Sequence, residues 1–416
     1  MLLNYKEKGG DINMGQQNLS NFDAALKIDY LDLIREQLNN KTILLNTLTR
    51  NERDVSGKEW RMVTHHGRSS GAGAGSETGL PTAGNQSYAN PYGPVKYNRG
   101  RIEVSGPSMK ASRNDAGAIA RVLESEIKGI TADLRKDVNY QLFNDGTSRR
   151  CLVNGDPGAE GTTLTVDSPG SMYLYDGMVI DIIADDTGVA TDADVTVTTV
   201  DSATSCTTTA IDTGVADNDW VILANSHDGA GILPTDSYEM MGLKGIVDDN
   251  TYVDTLHHIA RGSYPWWYCS TFDNDDNGGT NRDLTLDLIQ EAVTAVEKNG
   301  GQVNMIVSGP DLRDAYAALV VADKRFVNTL DLDGGFKGLE YSGLPWVSDT
   351  DCPPNTVFFI DTEHLQIMQM SDWDWMDEDG AVLSRTSGDA YEAVLYWYSE
   401  LVTDKPRAHS FLRDVQ

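Results

Sequence analysis

The sequence predicts an α+β chain of several domains that carries a small all-β module as an insert. Three observations predict it. An amphipathic helix of about thirty residues starts near Asn114, and a Thr- and Val-rich run of short alternating strands follows from about Gly155 to Asn225. Helix and strand patterns then exchange regularly to the C-terminus. A chain of 416 residues has room for about two or three domains with a core of their own.

Residues 1–60 are polar and hold one helical stretch. Leu26, Ile28, Leu31, Leu33, Ile34 and Leu38 form an imperfect helical stripe between Asn21-Phe22-Asp23 and Asn39-Asn40. So little apolar sequence surrounds it that its partner must lie on another domain or another subunit. From 61 to 112 the composition changes. GRSSGAGAGSETGLPTAGNQSYANPYGP is too rich in Gly, Ser and Pro for a helix or a buried sheet, and strand-like pieces flank it at Arg61–Thr64 and Arg101–Ser105. That pattern predicts a projecting hairpin, and loops of this length are usually functional or ordered by a partner.

The long helix follows, capped by Asn114 or Asp115. Ile119, Val122, Leu123, Ile127, Ile130, Leu134, Val138 and Leu142 keep a spacing of three and four, and Asn144-Asp145-Gly146 ends it. At 1.5 Å per residue it is a rod of roughly 45 Å. The insert is placed at 155–228. Its alternating runs Thr163–Val166, Val179–Ile182 and Val195–Thr198 are separated by turn clusters such as Asp185-Asp186-Thr187-Gly188, which predicts a small barrel. Beyond it, Leu288, Ile289, Ala292, Val293 and Val296 make a helical face closed by Asn299-Gly300-Gly301. Val303–Val307 is a short buried strand, and Ser308 is expected to cap a helix with Pro310 in its first turn. Further strands are expected at Val357–Ile360, Leu365–Met368 and Ala390–Leu401.

Charge excludes more than it identifies. Sixty-three acids against thirty-three Lys and Arg give a formal charge of −30, so the molecule as a whole repels a phosphate backbone. The excess reads either as adaptation to high salt or as ordinary solubility charge. No apolar run approaches the ~20 residues that span a bilayer, and MLLNYKEKGGDIN has no signal-peptide core. A soluble protein made inside a cell, without membrane partners, is therefore expected. Cys151, Cys206, Cys269 and Cys352 lie far apart with no CxxC pair, as buried small hydrophobes do.

Taken in order, these parts resemble the major capsid proteins of tailed phages and archaeal tailed viruses, the Hong Kong phage-type capsid fold that encapsulin shells share. Residues 1–60 look like the family's N-terminal arm, 61–112 like its extended loop, and 113–154 like its spine helix with the start of the peripheral domain. The stretch NGGQVNMIVSGPDLRDAYAAL resembles an axial-domain strand feeding a helix. GLEYSGLPWVSDTDCPPNTVFFIDTEHLQIM resembles the later strand pair, with Gly343-Leu344-Pro345 at its turn. Accordingly 229–375 is assigned mainly to the axial domain and 376–416 to the return into the peripheral domain, where YEAVLYWYSELVTDKPRAHSFL resembles the returning strand. The insert is absent from the minimal fold. The resemblance implies a shell subunit that assembles with itself as pentamers and hexamers around double-stranded DNA, without sequence-specific binding. It also implies a portal, a separate scaffolding protein because little sequence precedes the arm, and room for a decoration protein. The expected place is the virion, after assembly in the host cytoplasm. An encapsulin-type compartment is the alternative within the fold.

The expectation for chemistry is that there is none: no catalytic residue, no cofactor and no metal. Gly67-Arg68-Ser69-Ser70-Gly71 matches a nucleophile-elbow pattern, with His364 or His409 later in the chain. The AGAGSETG that follows cannot form the helix an elbow requires; an acidic serine hydrolase built on Ser69 is the alternative from another class. Asp273, Asp275, Asn277 and Gly278 match the first half of a calcium loop. The twelfth position is Leu284, with Asp283 one place early, so an EF-hand is excluded and an acidic surface loop is expected. His65-His66 and His257-His258 are adjacent pairs whose side chains would point apart in a strand. Trp266-Trp267-Tyr268 reads as core or interface. Lys96 and Lys110 flank the region where some relatives form cross-links, but no acceptor Asn is identified and no cross-link is expected.

Overall fold

A computed structural model describes residues 42–416 except 76, 78, 108–115, 159, 230, 232, 276–277, 323–329, 333–335, 377–383 and 386–387. The helical stripe of residues 26–38, the cap at Asn114 or Asp115, Lys110 and Asn277 lie outside the described residues, as do the side chains of Ile119, Val122 and Leu123. The chain divides into two compact units.

The smaller unit contains residues 99–135 and 373–397. It includes most of the long helix, Ala116–Gln141, and the first part of a fourteen-residue strand, Ala390–Thr403. Asp374–Trp375 and Ser384–Arg385 pair antiparallel with that strand. Trp373 stacks on Trp397 at 4.5 Å. A Cβ at Gly100 would stand 2.8 Å from Ile130, so strand and helix pass at the distance only glycine allows.

The larger unit contains residues 41–98, 136–372 and 398–416. Its main sheet has seven strands in the order 270–272, 410–412, 357–360, 305–308, 344–348, 336–341, 330–332. Met305–Ser308 and Val357–Ile360 are buried at every position, as central strands covered on both faces must be. The helices Leu286–Lys298 and Pro310–Ala322 supply Ile289, Ala292, Val293, Val296, Leu312, Tyr316 and Val320 to the core with these strands. The Thr285 side chain caps the first of them by accepting from the Leu288 N–H at 3.3 Å. Ser308 does not cap the second. The strand runs through it, and its buried hydroxyl accepts from Trp346 Nε1 at 2.7 Å, with Gly309 between strand and helix. The expected turn at Gly343-Leu344-Pro345 sits one residue earlier. Ser342 and Gly343 both have positive φ, and Leu344 already pairs with Tyr341, which is the two-residue hairpin geometry.

The β module is a closed barrel. Its six strands run in the order Arg149–Leu152, Trp220–Leu223, Val179–Ile183, Ala190–Ser202, Ser205–Ile211, Gly161–Thr165. The Val153–Val166 bridge joins the last to the first. Alternation decides the inside: Ile180, Ile182, Val195, Val197, Leu164, Cys206 and Val221 fill the interior, while Asp181 and Asp194 point away. Closure leaves no free strand edge. The first strand is Arg149–Leu152, ahead of residue 155. Two arginines directly after a helix give no alternating pattern to read.

Candidate assembly surfaces

The hairpin begins as a regular three-stranded sheet of Val55–Ser56, Glu59–Arg61 and Tyr92–Pro94. Trp60 is fully buried there with Val95, Met368 and Val402. Further out only a two-stranded ribbon remains, Thr64–Gly67 against Ser87–Ala89. A lone two-stranded ribbon is marginal in water. This one also exposes Val63 (71%), Tyr88 (62%) and, at its tip, Leu80 (94%).

The chemistry-bearing residues do not converge. Ser69 sits within this hairpin, its hydroxyl donating to the Gly84 carbonyl at 2.8 Å and accepting from the Gly71 N–H at 3.1 Å. That is turn bonding. His364 instead pairs with Asp404 at 2.8 Å, and His409 is buried with its Nδ1 accepting from the Asp361 N–H at 3.2 Å. Asp273 and Asp275 take up the Arg413 guanidinium, at 3.3 and 2.6 Å. The histidine pairs diverge. His66 stacks flat on Trp266 at 4.1 Å, whereas the ring of His65 lies against Tyr88. His257 is buried edge-on to Trp60, and His258 stacks on Tyr92. Trp267 is fully buried, its Nε1 donating to the Leu256 carbonyl. Among the described residues no group of three His, Cys, Asp or Glu side chains could hold a metal, and all four cysteines are free and buried. Burial pushes the Cys269 thiol up to about 12, far from a reactive thiolate.

Past its first strand the barrel module carries no cation. Between Cys151 and Leu243 there are sixteen Asp and Glu and no Lys or Arg. Many of these acids also hold the loops. Asp181 accepts the Asp194 and Asn225 N–H groups, Asp176 that of Val200, and Asp192 that of Asp212.

A family model described as SU10 major capsid protein matches residues 217–416. The capsid asymmetric unit of cyanophage A-1(L) has the same fold, at TM-score 0.57 and 17% identity over 93% of this chain and 96% of that one. The C-terminal part of the chain is thus similar to a major capsid protein family, and the chain has the fold of tailed-phage capsid proteins. The capsid of the native GTA particle also matches, at TM-score 0.51 and 12% identity, over 96% of this chain and 100% of that one. The holo-SrpI encapsulin complex from Synechococcus elongatus is more distant, at TM-score 0.45 and 10% identity, covering 96% of each chain. No curated protein matches the sequence.

One feature of the chain escapes sequence reasoning. The segment Ser237–Met241, which leaves the barrel, is pinned from three other elements. Lys96 at the hairpin base donates to the Ser237 carbonyl at 2.5 Å, Gln141 of the long helix accepts the Met240 N–H, and Glu400 of the long strand accepts the Met241 N–H at 2.7 Å. Glu239 within the segment meets Arg150 at 3.1 Å, and Arg150 also meets Asp137. Burial lifts the Glu400 carboxyl to about 8 and that of Glu239 to about 7, against the lowering pull of Lys96 and Arg150 respectively. The legible signal was Glu400 itself, an acid inside the apolar run YEAVLYWYSELV.

Proposed function

We propose that this chain is a tailed-phage major capsid protein that assembles as pentamers and hexamers into an icosahedral shell enclosing double-stranded DNA, with residues 61–112 strapping one copy to the next. The carrying observation is the ribbon, which exposes Val63, Tyr88 and Leu80 and whose two strands pair only with each other among the described residues. Such an element gains area and backbone partners only on another chain. The domain set expected from sequence belongs to the same reading: arm 1–60, spine helix and peripheral domain 113–154 and 376–416, inserted barrel 155–228, mainly axial domain 229–375. The barrel faces outward, because residues 155–228 hold fourteen acids and no Lys or Arg and would be repelled by packaged phosphates. Assembly takes place in the host cytoplasm with a separate scaffolding protein and a portal, and the outward barrel leaves a surface for a decoration protein. The protein turns over no substrate.

Negative-stain electron microscopy of the purified protein, alone and in molar salt, tests this. Closed shells or hexamer-sized rings are expected, with nucleic acid and not a protein cargo inside particles from infected cells. Ser69→Ala should assemble like the parent. A monomer under every condition, with no scaffolding protein able to rescue assembly, would overturn the reading.

A further inference from the structure

A cavity of about 520 Å³ opens at the foot of the barrel, in the larger unit. Arg149, Arg150, Lys244 and Arg413 line it, and among the described residues Asp414 is the one acid on its wall. In a chain with almost two acids per cation, that is an inverted balance. Two of the cations are fully matched: Arg150 meets Asp137 and Glu239, and Arg413 meets Asp273 and Asp275. The other two share a single carboxylate oxygen. Arg149 Nη2 stands 3.3 Å and Lys244 Nζ 3.0 Å from Asp145 Oδ2. Among the described residues Asp145 is thus the one carboxylate paired with either of these two cations, and Arg149 otherwise lies over the Trp220 ring and Lys244 over that of Tyr252. The two side chains keep 25% and 21% of their surface exposed, so a second oxyanion can reach them.

We propose that this cavity is a docking site for an acidic turn of a second copy of the same chain, whose carboxylate bridges Arg149 and Lys244. The argument is charge complementarity. Copies carrying −30 each repel one another, and contacts between them must set scarce cations against plentiful acids. A guanidinium beside an ammonium suits a carboxylate, the arginine giving direction and the lysine charge. Asp-rich turns are what the chain offers in excess. The proposal rests on the shell reading above.

The test uses particles assembled from mixed normal and nitrogen-15-labelled copies, treated with a carbodiimide that joins Lys244 Nζ to a touching carboxylate with loss of water. Mixed-isotope peptide pairs containing Lys244 are expected in particles and not in dissociated subunits. Pairing of Lys244 only with Asp145 of its own copy would sink the site. So would suppression of the label by inorganic phosphate with no mixed-isotope pair, which marks a small-anion pocket. Lys244→Gln gives a second readout, because Arg149 still holds Asp145 and the subunit should melt as the parent does. Its particles should come apart at a NaCl concentration at least about twofold lower; unchanged salt resistance overturns the docking site while leaving the shell reading intact. A protein that forms no particle at all overturns both.

Discussion

At the scale of single residues, the firmest point in the molecule is Arg261, fully buried beside Asp248 at 3.0 Å. Its guanidinium also donates to the carbonyls of Gly245, Ile246 and Val253, so one side chain closes the loop that follows the barrel. Removing one member of such a pair leaves the other charge buried and alone, at a cost of about 3–5 kcal/mol. Arg261→Leu should therefore lower stability by about that amount in urea unfolding; a change under about 1 kcal/mol would mean the loop relaxes to let water reach Asp248. Nothing in RGSYPWWYC announces this role, since a surface arginine and a buried one look alike in sequence. Arg413 pairs with Asp273 and Asp275, and Ser69 makes turn bonds to Gly71 and Gly84.

At the scale of elements, legibility followed period. The helix Leu286–Lys298 and the strands Val179–Ile183 and Val357–Ile360 stand where three-and-four spacing or alternation put them. Arg149–Leu152 was not legible, because its partners Trp220–Leu223 are some seventy residues away and pairing, not composition, makes it a strand. Two elements have testable energetics. The barrel folds against its own charge, so its melting temperature should rise as NaCl goes from about 0.01 to about 1 M, where screening shortens from about 30 to about 3 Å. Asp185→Asn with Asp186→Asn should flatten that rise, and a barrel indifferent to salt would mean its carboxylates are no net load. The ribbon makes the opposite kind of prediction. Leu80→Asp should leave subunit stability within about 0.5 kcal/mol, because Leu80 touches little in its own chain. In assembly assays it should weaken each contact by roughly ten- to a hundredfold, as losing about 1.5–3 kcal/mol of leucine burial implies. Equal assembly of the variant would show that the tip stays wet in the shell.

At the scale of the whole molecule, pH should act through four buried groups. Burial holds His257 down to about 3 and His409 to about 4, so each contributes stability above its ordinary 6.5 that is lost as pH falls towards those values. Glu239 and Glu400 are raised from 4.5 to about 7 and about 8, so their contribution is complete below 4.5 and lost as pH rises through 7–8. Between about 4.5 and 6.5 the two slopes oppose and nearly cancel. Chemical denaturation across pH should show a plateau there, a loss on the acid side down to about 3, and a loss on the alkaline side up to about 8. A maximum near pH 9 would contradict the burial of both glutamates. The alkaline limb belongs to the clasp of Lys96, Gln141, Arg150 and Glu400 around Ser237–Met241, and Glu400→Gln should remove much of it. The clasp was not legible in the sequence, because it joins residues some three hundred positions apart.

The barrel's first and last strands, Arg149–Leu152 and Trp220–Leu223, lie side by side and antiparallel. Chain goes in and comes out through one doorway a strand's width across. A module attached in this way can be acquired, enlarged or exchanged in evolution without disturbing the scaffold, because the two ends it must join never move apart. The same doorway makes residues 153–219 a natural cassette for engineering, open to any folded domain whose termini are neighbours.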